Sequence, residues 1–184
     1  DVYKRQELNV GCVVIDPVRI SWAARVGFLK STRKKFVLAA HVPVLVARGT
    51  APYQRILLAV GPGQDPDLIA QVSIDLARQC KAQLTVLTVL PPSFAEGEDE
   101  VAPLKALPGR VAHLARLHGV EVDKRLEHGN PIERIRHTAK DFDLLVIGHS
   151  RQMRNTLFTP DVSLFLLHDA PCSVLFVPWN AAHT

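Results

Sequence analysis

The chain has 184 residues, 47% of them hydrophobic and 22% charged, with a net charge of +4. That is ordinary globular composition, long enough for one full domain and a fragment but hardly for two domains. No apolar run approaches the ~20 residues of a membrane helix, and Glu7 to Ile15 is too short and too interrupted for a signal-peptide core.

Three cysteines, Cys12, Cys80 and Cys172, are odd in number and widely spaced. They suit buried thiols in a reducing, cytoplasmic setting better than a disulfide framework or a zinc site. The charge is uneven. Residues 1–50 hold nine Lys/Arg against three Asp/Glu, or +6, and the remainder holds 13 against 15, or −2. The basic excess peaks at Lys30–Lys35 and reads as a solvated helix face. Nucleic acid would want aromatic stacking residues beside it, but nearby Phe36 reads as core. Neither nucleic acid nor a membrane is an expected partner.

In the second part of the chain, Arg55–Gly63 (RILLAVGPG) is a continuous apolar run stopped by glycine, which suits a strand buried on both faces. Asp65-Pro66 then supplies an N-cap and a first-turn proline. Leu68, Ile69, Val72, Leu76 and Cys80 follow at helical spacing. Gln83–Leu90 is the next strand. Pro91 to Pro108, with four prolines and an acidic cluster, reads as an exposed, mobile loop. Pro108 opens a short helix closed by Gly119. Val120–Leu126 alternates like a strand. Asn130-Pro131 repeats the cap-plus-proline start, with Ile132, Ile135 and Ala139 on the buried face. Asp143–Gly148 (DLLVIG) is another buried strand. Asp161–Asp169 reads as helix and Ser173–Val177 as the last strand.

Strands alternating with helices imply right-handed crossovers and a parallel sheet covered on both faces. Ligands in such folds sit at the carboxyl ends of the strands. Those ends are Gly61-Pro62-Gly63, the Thr88–Pro91 stretch with Val89, and Gly148-His149-Ser150-Arg151.

The beginning of the chain repeats its end. Lys30–Ala47 lies over Pro160–Val177 without a gap, and GCVVID (Gly11–Asp16) lies over DLLVIG. This divides the chain into a remnant of a first repeat at 1–49, a complete domain at 50–178 and a tail at 179–184. Asp1 to Gln6 match nothing in the repeat.

Four segments in this order, RILLAV, GNPIERI, DLLVIGHSR and APCSVLFVP, resemble the universal stress protein family over Gln54–Pro178. The resemblance implies a doubly wound parallel five-stranded sheet of order 3-2-1-4-5, like that of adenine nucleotide alpha hydrolases, and no catalysis. It also implies pairing through the fifth strand. The repeat makes the chain look like a tandem-type member with a truncated first copy, so Val42–Ala47 is expected beside Ser173–Val177.

ATP-binding members carry an Asp after the first strand, and a Gly-x-x-Gly followed, after nine residues, by Gly-Ser. Backbone N–H groups reach phosphate oxygens only where side chains are absent. Here Gly61 replaces the Asp. Gly148 keeps the first glycine, but Arg151 replaces the second, and Pro160-Asp161 stand in place of Gly-Ser. Pro160 has no N–H to offer, and Asp161 brings a negative charge. The expected function is therefore a stress-response regulatory module that binds no ATP and acts by dimerisation or contact with an unidentified protein partner. The alternative is an ATP- or AMP-responsive switch. Gly61, Pro62, Gly63, Val89, Gly148, Ser150, Arg151 and Asp161 make up the candidate mouth.

Other sites are weaker. Gly61-Pro62-Gly63 lacks the third glycine of a dinucleotide fingerprint, since Pro66 stands there, and no acid ends the second strand. Ser150 beside His149 has no nucleophile-elbow motif around it and reads as a loop serine. The histidines lack metal spacing and read as surface or half-buried. Arg151 invites a phosphate or carboxylate, against which stands an ordinary ion pair with Asp161. No catalytic or metal residue is expected.

Overall fold

The computed structural model describes residues 11–15, 35–37, 39–49, 52–62, 64–92, 98–150 and 162–179. Seven strands form one sheet: β1 (Val13–Ile15), β2 (Val44–Val46), β3 (Arg55–Ala59), β4 (Gln83–Leu90), β5 (Val122–His128), β6 (Leu144–Ser150) and β7 (Ser173–Trp179). Among the described residues, four α-helices have both ends defined: α1 (Pro66–Cys80), α2 (Glu98–Leu117), α3 (Pro131–Thr138) and α4 (Val162–Asp169); residues 35–37 are helical as well.

The sheet order is β1-β2-β7-β6-β3-β4-β5. This corrects the expectation of a five-stranded, wholly parallel sheet. The strands β5-β4-β3-β6-β7 run parallel to one another. Beyond them β2 pairs antiparallel with β7, and β1 pairs parallel with β2. The physical reason is the edge of β7, whose outward backbone groups need hydrogen-bond partners. Val44, Leu45 and Val46 supply them opposite Phe176, Leu175 and Val174.

The central strands are apolar on both faces because helices cover both. On one side α1 and α2 bury Ile69, Ile74, Val111 and Ala115 against Ile56, Leu58 and Val146. On the other, α3 and α4 bury Ile135, Leu166 and Leu167 against Leu57, Leu145 and Ile147. Both cap-plus-proline signals open helices. Asp65 accepts from the Leu68 N–H at 3.2 Å, and Asn130 from the Ile132 N–H at 2.9 Å.

Several expectations are corrected. The stretch from Glu98 onward is helix, not loop, and Pro103 and Pro108 lie inside it. Each proline forfeits a backbone hydrogen bond. Against that, Leu107, Val111, Leu114 and Ala115 share one packed face, and Pro108 is itself buried. In α1 the fully buried face is Ile69, Ala70, Ser73, Ile74 and Ala77, while Leu68 is exposed. Phe36 is exposed as well, and its neighbour Val37 takes the core position. Strand β5 is largely exposed rather than alternating, as an edge strand of this sheet can be. Among the thiols, Cys172 is buried, Cys80 half-buried and Cys12 exposed.

Candidate functional site

The candidate mouth lies where β3, β4 and β6 end. After β3 the Val60 N–H donates to the Leu87 carbonyl oxygen at 3.0 Å, which holds the chain against β4 before it turns out at Gly61-Pro62. The chain then returns through Gln64 to the Asp65 cap. The Gly61 N–H donates to Gln64 Oε1 at 3.3 Å. The same Gln64 side chain reaches Gly148: a Cβ placed on Gly148 would meet its Cδ at 3.3 Å. That Cβ would also run into Ile69 Cδ1. The space left by the missing side chain of Gly148 is therefore filled from within by Gln64 and Ile69.

Beside this contact lies a cavity of about 840 Å³, lined among others by Gly61, Pro62, Val89, Leu107, Arg110 and Asn130. Its walls are mainly apolar, with prolines from two loops and three helices. Arg110 is tied to Asp67, and the hydrogen bond and charge of that carboxylate hold the guanidinium above its usual range. A second cavity, about 870 Å³, opens at the amino ends of β4 and β5, between Arg78, Lys81, Arg116 and Lys124.

Gly61, Pro62 and Val89 thus come together on one cavity wall. Gly148 lies behind Gln64. Ser150 closes β6 as a strand residue, not a loop residue. Gly63, Arg151 and Asp161 lie outside the described residues, and so does the expected pairing of Arg151 with Asp161. His149 is a correction. It is 1% exposed, and its Nδ1 lies 2.9 Å from the Ser163 Oγ. Strand alternation turns it to the α4 side, beside Ile147 and Leu145. Gln64, Arg110 and Asn130 were not anticipated as site residues. Gln64 carries no motif, and Arg110 sat in the stretch read as a loop and a short helix. Asn130 was legible, though as a helix cap.

No group of three or more His, Cys, Asp or Glu is placed to hold a metal among the described residues. Nor, among them, is any helix long and apolar enough to cross a membrane.

The arrangement is that of a doubly wound α/β domain with a ligand-sized mouth at the carboxyl ends of its strands. The pattern of the universal stress protein family matches residues 52–178. The chain belongs to the universal stress protein family. No curated protein matches it. Among solved structures, a universal stress protein in complex with cAMP shares 21% identity at a TM-score of 0.53, covering 70% of this chain and 98% of its own. One from Archaeoglobus fulgidus in complex with dAMP shares 20% at 0.56, covering 68% and 98%. Another, from Archaeoglobus fulgidus DSM 4304, shares 16% at 0.70, covering 92% of this chain and 63% of its own. At these identities the likeness shows the fold alone.

Proposed function

We propose that the chain is a non-catalytic regulatory module of the stress response that does not bind ATP and acts in the cytoplasm through self-association or a protein partner. One observation carries this reading. The glycine that would let a phosphate approach, Gly148, has its free space taken by Ile69 and Gln64, and the Gly61 N–H is already satisfied by Gln64. A group entering on the side-chain face of that glycine would have to displace a buried isoleucine. Within the same reading, residues 1–49 are the remnant of a first repeat, 50–178 a complete domain and 179–184 a tail. The β2–β7 junction then stands where two fifth strands would meet.

A second reading has its own support. The 840 Å³ cavity is large enough for a nucleotide, and two structural neighbours hold cAMP and dAMP. In that case the chain is an ATP- or AMP-responsive switch whose modified loop runs from Gly148 through Ser150 and Arg151 to Asp161. Titrating the full chain with ATP, AMP and inorganic phosphate while recording the melting temperature separates the two. A ligand of the native state raises the midpoint by mass action. The first reading expects no rise at millimolar ATP. A dose-dependent rise fitting micromolar affinity establishes the second instead.

A further inference from the structure

The cavity of about 870 Å³ at the amino ends of β4 and β5 lies at the opposite end of the sheet from the candidate mouth. Helices α1 and α2 both finish there, and both close in the same way. Lys81 and Gly119 turn left-handed, at φ 54° and 70°. The Ala82 N–H then donates to the Ala77 carbonyl oxygen at 2.9 Å, and the Val120 N–H to that of Ala115 at 2.9 Å.

Four exposed cations, Arg78, Lys81, Arg116 and Lys124, line this cavity against two carboxylates, Glu121 and Asp123. Helix dipoles account for Arg78 and Arg116, which stand in last turns. They do not call for Lys124, which lies on β5. Nor do they call for Lys81, which holds a left-handed position that glycine fills at lower cost, as Gly119 does after α2. Among the described residues, no carboxylate forms an ion pair with Lys81, Arg116 or Lys124. This positive charge gathers on a part of the chain, residues 51–184, that carries −2 overall.

The donors decide what such a cavity can take. Phosphate sites present backbone N–H groups, as at a helix N-terminus. Here the N–H groups of Lys81, Ala82, Gly119 and Val120 are spent on the carbonyls of their own helices. The negative ends of two helix dipoles also lie beside the cavity. The donors that remain are long side chains, spaced over two helix ends and a strand. They match carboxylates spread along a chain, not one compact phosphate.

We infer that this cavity docks an acidic, extended segment of a protein partner, whose carboxylates meet Lys81, Arg116 and Lys124. The inference rests on the reading proposed above, in which the chain acts through a protein partner, and it gives that partner a place and a charge.

The test uses the full chain and a fluorescein-labelled peptide of alternating glutamate and serine, with glutamine in place of glutamate in the comparator. Anisotropy is read at low ionic strength, where exposed charges are least screened. The glutamate peptide should bind and the glutamine peptide should not. Combining Lys81→Gly with Arg116→Gln should weaken binding roughly five- to ten-fold, as the loss of two exposed ion pairs implies. Glycine suits the backbone at position 81, so Lys81→Gly should not lower the melting temperature. Arg136→Gln with Lys140→Gln removes the same charge from exposed positions on the other side of the sheet and should leave affinity within about two-fold. Equal weakening by both pairs of substitutions, or no binding of the glutamate peptide, overturns the inference. Tripolyphosphate that binds more tightly than the peptide, and loses affinity with Lys81→Gly and Arg116→Gln, makes this a phosphate site and likewise overturns it. ATP that raises the melting temperature equally in the unaltered chain and in that variant acts at the other cavity, and overturns the ATP-free reading instead.

Discussion

Arg48 Nη2 donates to the carbonyl oxygen of Leu167 at 2.6 Å and to that of His168 at 3.2 Å, tying the second residue after β2 to the last turn of α4. A cation there satisfies carbonyls that helix α4 leaves without intrahelical partners and complements its dipole. The backbone adds to the clasp, since the Arg48 and Gly49 N–H groups both point to the Ser173 Oγ, at 3.0 and 3.3 Å. The antiparallel junction is only three residue pairs long, so this clasp matters to it.

Arg48→Ala is therefore expected to cost roughly 1.5–3 kcal/mol, the range for hydrogen bonds made by charged groups. Denaturant unfolding measures the loss. Amide exchange should accelerate at Val44–Val46 more than at Leu144–Ile147. Arg48→Lys should recover part of the stability, because a lysine keeps the charge but not the fork. Unchanged exchange at β2 in Arg48→Ala would show that strand pairing alone holds the junction.

Cys172 gives a pH dependence of definite sign. Burial pushes its thiol up to about 11 from an ordinary 9.0, against smaller lowering effects from a backbone hydrogen bond with Leu145 and the charge of Arg48. Between those values the unfolded chain loses the proton first while the native state keeps it. Stability contributed by this group is complete below pH 9 and falls as pH rises toward 11. The fall is up to about 2 kcal/mol from a shift of this size. Cys172→Ala should flatten that part of the stability–pH curve, whatever its effect at neutral pH. At pH 8 iodoacetamide should modify the exposed Cys12 well before Cys172. Equal labelling rates under native conditions would contradict the burial argument.

The sequence carried the parts of this fold that rest on strong local signals. Ile56–Ala59 and Leu144–Ile147 are unbroken apolar runs, and Asp65 and Asn130, each followed by proline, mark helix starts through their own side-chain bonds. Where tertiary packing outweighs local preference, the reading failed. The proline-bearing stretch from Glu98 to Gly109 is helical because its far end docks on the sheet, and propensity alone cannot show that. Phe36 and Val37 are both apolar, and which one turns inward depends on the helix phase. At the site, Gly61 and Gly148 were legible as departures from, and remnants of, a phosphate loop. Gln64 was not, because a glutamine in a loop has no periodicity and its role exists only once two distant glycines are brought beside it.

Gly61 offers a clean contrast with Gly148. No atom lies within 4 Å of a Cβ built on it, and its backbone needs no left-handed conformation. Gly61→Asp, which places an acid where ATP-binding members of the family carry one, should leave stability within about 0.5 kcal/mol. On the reading proposed here it should not create ATP affinity, because Ile69 and Gln64 still fill the space at Gly148. Calorimetric titration of Gly61→Asp with ATP tests this. Micromolar binding would mean that the missing acid alone had silenced the site.

Gly148 should behave in the opposite way. Its Cβ would enter the space of Ile69 Cδ1, and Ile69 is wholly buried between α1 and the sheet. The isoleucine cannot swing out to solvent, and the core around it is packed to the density of an organic solid. Gly148→Ala is thus an overpacking substitution and should cost about 1–3 kcal/mol. Ile69→Val removes the obstructing methyl and alone should cost about 0.5–1.5 kcal/mol. If the clash is the cause, the double variant should be clearly more stable than the sum of the two losses predicts, because one change makes room for the other. Chemical denaturation of the four proteins in the cycle measures this coupling. Simple additivity would mean that Gly148 is needed for its backbone and not for the room it leaves Ile69. The argument against a phosphate at this glycine would then lose its physical basis.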